Sequence, residues 1–84
     1  MTLYEFVKKS SYLNDTFEDM KYRIGEKDKI VELEKWRKNL DVIYNRYYII
    51  MGYLKAAYDY GQISLEEDLA LEDELDLVML GKEG

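Results

Sequence analysis

The chain has 84 residues, a net charge of −6, and no cysteine, histidine or proline. A chain of that length makes one domain and buries only about 60–65% of its unfolded surface, so its core is thin. Without cysteine there is no disulfide staple and no thiolate metal ligand; without histidine no side chain has an ordinary pKa near neutrality.

The first predicted element opens at Thr2-Leu-Tyr-Glu5, a capping box in which the threonine hydroxyl accepts from the backbone and the glutamate reaches back. Leu3, Phe6 and Val7 form its apolar face, and it fades near Ser10 and Ser11. Phe17, Met20 and Ile24 then stand at i, i+3 and i+7. That spacing favours a second short helix opening near Asp15 or Thr16, with Gly25 as its C-terminal stop. The alternation Met20, Tyr22, Ile24 reads instead as a strand, although no second clear strand is present to pair with it.

From about residue 28 to residue 60 the pattern is one long helix, ~50 Å at 1.5 Å per residue. Leu33, Trp36, Leu40, Ile43, Tyr47, Ile50, Leu54 and Ala57 step alternately by three and four, a heptad seam that serves as core or as a self-association surface. Trp36 is expected to be a buried anchor of that seam. A second stripe, Val42, Ile49, Tyr53, Ala56 and Tyr60, lies on nearly the opposite side, so the later half of the helix is apolar on two sides and needs cover from two directions. Gly52 interrupts this half at a cost of roughly 1 kcal/mol against alanine, or marks the close approach of another backbone.

Gly61 is the predicted stop, and Ser64-Leu-Glu-Glu67 is a second capping box. The last helix runs from about 65 to 80, ends at Gly81, and folds back on the long helix as a hairpin. The tail, Gly81 to Gly84, is expected to fray. The fold expected is therefore all-α: two short N-terminal helices, one long central helix and an acidic C-terminal helix, in a single domain over residues 1–84.

Charge is uneven along this plan. Residues 1–27 are neutral, 28–60 carry +1, and 61–84 carry one base against eight acids. Seven of those acids, Glu66, Glu67, Asp68, Glu72, Asp73, Glu74 and Asp76, fall inside the last helix with no base among them. They are spaced at one per ~2 Å of axis, against one phosphate charge per ~1.7 Å in a nucleic-acid duplex. Leu71, Leu75 and Val78 make one apolar stripe on this helix and Leu65, Leu69, Ala70, Leu77 and Leu80 a broader one opposite; only one of the two can face the long helix. The nine tyrosines are heavy use of a residue enriched at protein interfaces, and six of them crowd the later half of the long helix.

Catalytic equipment is sparse. Ser10, Ser11 and Ser64 lack a base, and no glycine-rich phosphate loop is present. The chain is similar to acidic all-helical nucleotide hydrolases in its Glu-Glu and neighbouring acids, but the long helix offers no facing Glu-x-x-Asp. In outline it is also similar to small helical chorismate mutases, yet Arg37 and Arg46 fall off the seam, and the inward cations that hold a dicarboxylate are missing. No catalytic residue, cofactor or metal site is expected. Direct nucleic-acid binding is not expected of an acidic chain whose bases are interleaved with acids. No signal peptide is expected, since the opening MTLYEFVKKS lacks a basic start followed by an apolar run, and the longest apolar run, Tyr47 to Met51, is far below a membrane span. A soluble cytoplasmic protein is expected.

In style the chain resembles accessory products of phages and plasmids, among them anti-CRISPR proteins that occupy the basic groove of a nucleic-acid-handling enzyme. That resemblance implies a small acidic regulator or inhibitor of another protein. Its contact residues are expected at Glu66, Glu67, Asp68, Glu72, Asp73, Glu74 and Asp76, with Tyr48, Tyr53 and Tyr60 beside them. Self-association, as a homodimer through the long helix, is expected beside this; the competing expectation for function is a homo-oligomeric structural or assembly module with no inhibitory role. Salt separates the two: contacts by charge collapse as salt rises, and apolar self-association persists.

Overall fold

A computed structural model describes residues 1–82; Glu83 and Gly84, the end of the expected frayed tail, lie outside the described residues. The helices run in the order α1 (Leu3–Val7), α2 (Ser11–Glu26), α3 (Leu33–Asp59) and α4 (Leu65–Met79), with a 3-10 turn at Lys27–Lys29. Among the described residues there is no strand. Both capping boxes form: Thr2 Oγ1 accepts from Glu5 N at 3.1 Å, and Ser64 Oγ accepts from Glu67 N at 3.1 Å.

The second helix differs from its expectation at both ends. It opens at Ser11, because Ser10 is its cap and accepts from Leu13 N at 3.3 Å. Gly25 is not its stop: the glycine sits inside the last turn, and the chain leaves by tightening into the 3-10 turn before extending at Ile30. The alternation Met20, Tyr22, Ile24 belongs to this helix, which buries Leu13, Phe17 and Met20.

The long helix starts at Leu33, not near residue 28, with Glu32 as an extended N-cap that makes no side-chain cap bond. It ends as expected. Gly61, at φ +73°, takes the left-handed conformation. Gly61 N then donates to Tyr58 O at 3.0 Å and Gln62 N to Ala57 O at 2.8 Å, closing the end carbonyls in a Schellman turn.

The core collects Leu3, Phe6 and Val7 from α1, Leu13, Phe17 and Met20 from α2, and Ile43, Ile50, Leu54 and Ala57 from α3. Ile63 from the turn and Leu71, Leu75 and Val78 from α4 complete it. Leu40 and Tyr47 are partly buried against this cluster. The heptad seam is therefore core from Leu40 onward. Leu33 and Trp36 are 62% and 37% exposed, so Trp36 is not the buried anchor expected of it. Length explains the difference. The 15 residues of α4 return only ~22 Å along an α3 of ~40 Å, and residues 31–38 are all exposed.

Polar groups tie α2 to α3. Asp19 Oδ2 accepts from Arg23 Nε at 2.9 Å and from Arg46 Nε at 3.0 Å. Burial pushes the Asp19 carboxyl up, but the two guanidinium bonds outweigh it and hold it below the ordinary value. Asn39, buried on α3, donates from Nδ2 to Arg23 O at 3.1 Å. It thereby satisfies one of the end carbonyls that α2 cannot pair internally.

Candidate protein-binding surfaces

The seven acids of α4 do not form one uniform surface. Asp68 shares a face with Leu71, Leu75 and Val78, at spacings of three, seven and ten, and is 1% exposed. It was expected at the partner surface and lies in the interior instead. A carboxylate there needs a counter-charge, and Lys55 on α3 supplies it, with Nζ 3.5 Å from Asp68 Oδ2 and 3.0 Å from Glu72 Oε2. The hydrogen bond to Glu72, with the charges of Glu72 and Asp68, raises the Lys55 pKa despite some desolvation. Asp68 Oδ1 has no hydrogen-bond partner.

Three more acids have structural tasks. Glu67 Oε1 accepts from Ser64 N at 3.0 Å, and that bond to the backbone lowers its pKa. Glu74 Oε2 reaches across to Leu3 N at 3.1 Å, taking one of the free amides at the start of α1. Asp76 Oδ1 accepts from Tyr47 O–H at 2.7 Å. Burial, and then this bond to a carboxylate, push the Tyr47 hydroxyl up to about 12. Only Glu66 and Asp73 remain exposed and, among the described residues, without a hydrogen bond or ion pair.

These two acids lie on the outward side of α4, with the second apolar stripe. Leu65, Leu69, Leu77 and Leu80 are all exposed, and Asp73 stands in line between Leu69 and Leu77. This side presents apolar knobs with unpaired negative charge between them.

The exposed tyrosines make a different surface. Tyr12, Tyr48, Ile49, Gly52, Tyr53 and Ala56 line an open groove of ≈ 480 Å³, built from α2 and α3 alone. The Tyr12 and Tyr53 rings stand tilted across it, with centroids 6.2 Å apart. Tyr60 flanks a smaller hollow that continues the groove past Tyr53 and Ala56 toward Phe6 and Leu13 of the N-terminal helices. Neither hollow takes a lining residue from α4, so the expected acid-and-tyrosine surface is two surfaces.

Sequence reasoning passed over Lys55 and Tyr12. A signal for Lys55 was present: it is the only base between Arg46 and Lys82, so a hairpin partner carrying seven acids had a single cation to meet. Tyr12 had no such signal, because its place depends on how α2 crosses α3.

Among the described residues no three acidic side chains gather into a group that holds a metal ion, and no helix is long and apolar enough to cross a membrane. Neither protein-family models, curated proteins nor solved structures yield a match to this chain.

Proposed function

We propose that this chain is a small regulator or inhibitor that binds another protein through the outward face of α4. The observation that carries the reading is the exposure of Leu65, Leu69, Leu77 and Leu80 around two acids, Glu66 and Asp73, that have no internal task. A helix of this kind fits a groove with an apolar floor and a basic rim. With seven acids and no base within it, α4 as a whole also steers a basic partner toward this face.

In its finer form the partner is a cytoplasmic nucleic-acid-handling enzyme whose basic groove receives α4, as in the anti-CRISPR style of inhibition. The test uses the tagged chain on a bacterial lysate, washed at low and then high salt, beside Glu66→Lys/Asp73→Lys and Leu69→Ser/Leu77→Ser. A partner held by the wild type, released by salt and lost by both variants supports the reading. A partner that both variants keep through high salt refutes it. A captured enzyme with no nucleic-acid substrate refutes only the finer form.

A further inference from the structure

We propose that the tyrosine groove on α3 is a self-association surface, in which two copies of this chain cross α3 on α3 with a twofold axis beside Gly52. The feature is an aromatic groove with a small-residue floor. Tyr12, Tyr48 and Tyr53 form its walls, and Gly52 and Ala56 its base. None of the groove's own lining residues is charged, in a chain that is 36% charged, and Lys9 is the one charged residue lining the hollow that continues it, so a second copy meets no like charge at the crossing.

Gly52 has no explanation inside one chain. A helix-interior glycine costs roughly 1 kcal/mol against alanine. A Cβ built there meets nothing within 4 Å, so no neighbour of this chain demands its absence. The glycine opens the helix surface outward, toward something not in the chain, and lets another helix approach closely.

The pattern around it complements itself. When α3 runs antiparallel to its copy about Gly52, position 48 meets position 56 of the other copy. The large Tyr48 of each chain then meets the small Ala56 of the other, and glycine meets glycine at the crossing. Such an isologous match is what a twofold contact requires, and a foreign partner would not need it.

Area agrees. Tyr12, Tyr48 and Tyr53 of the groove are 54%, 65% and 44% exposed, and Tyr60 of the hollow that continues it is 83% exposed. At ~200 Å² per tyrosine they present on the order of 500 Å² per copy. Full burial of all four in both copies, with the adjoining hollow included, removes about 1,000 Å², the lower limit of a specific interface. An open groove of this shape does not enclose a small ligand, and with no base in its lining it does not draw a nucleic acid.

The experiment is sedimentation equilibrium across a wide concentration range, on the wild type, Gly52→Glu and Trp36→Ala. Gly52→Glu has room in the monomer and replaces a poor helix former, so its melting temperature at low concentration should hold or rise. At the contact it sets two charges against each other, and self-association should weaken on the order of a hundredfold. Trp36→Ala should leave the dimer unchanged. A wild type of single-chain mass at every concentration overturns the proposal. So does a Gly52→Glu chain that dimerises as the wild type does, or a dimer that only Trp36→Ala dissolves.

Discussion

The two faces of α4 are built from the same residue types and have opposite fates. The inner face carries Leu71, Leu75 and Val78 with Asp68; the outer carries Leu65, Leu69 and Leu77 with Glu66 and Asp73. Inside, the leucines lose their water and the acid must find a cation, which Lys55 provides. Outside, the leucines keep their water and the acids stay unpaired. Composition therefore does not separate a structural acid from an available one. The angular position of each acid, relative to the buried stripe, does.

Truncation inside the bundle should give the largest effect. Leu75→Ala and Leu71→Ala remove fully buried side chains and should cost about 2–5 kcal/mol in denaturant unfolding. Leu69→Ala on the outer face should stay within about 0.5 kcal/mol. Equal losses at the two positions would erase the contrast.

Lys55→Met should come next, as a clear fall in melting temperature, because it leaves the Asp68 carboxylate buried with no counter-charge. Asp68→Asn in the Lys55→Met background should restore part of the loss. No recovery would mean that the pair does not depend on charge.

Tyr47→Phe removes the donor to Asp76 at the margin of the bundle and should cost roughly 0.5–1.5 kcal/mol near neutrality. Its pH dependence follows from the raised pKa. The folded hydroxyl titrates near 12, against an unfolded value of 10.0, so the bond's contribution is complete below pH 10 and is lost as pH climbs toward 12. Melting curves of the two proteins should converge over that window; a constant gap would show that the hydroxyl does not act through Asp76.

Glu66→Lys/Asp73→Lys should have a small effect on folding, within about 1 kcal/mol, since neither acid holds an internal partner and only Glu66, in the first turn of α4, favours the helix dipole.

Much of the fold was legible in local chemistry. The capping boxes at Thr2 and Ser64, the stops at Gly61 and Gly81, and the inner stripe of α4 all depend on neighbours within a few residues, and sequence spacing reports such neighbours directly. The failures share a different cause. Leu33 and Trp36 continue the heptad seam without a break, yet they stand exposed because α4 is too short to reach them. That is a fact about relative lengths, which periodicity does not carry. Ser10 lacked notice as a cap because the first helix was expected to fade into it. Asp68 was grouped with its acidic neighbours by composition, although its spacing to Leu71 and Leu75 already put it on the buried face.

The binding reading is tested most directly on proteins of matched fold. Once a lysate partner of the wild type is identified, its affinity for the wild type and for Glu66→Lys/Asp73→Lys should be measured at several salt concentrations, with melting temperatures recorded alongside. The expected result is a fall in melting temperature of a few degrees at most, an affinity for the wild type that falls with salt, and binding lost on charge reversal. Equal affinity of both proteins, insensitive to salt, would contradict the outer face of α4 as the binding surface.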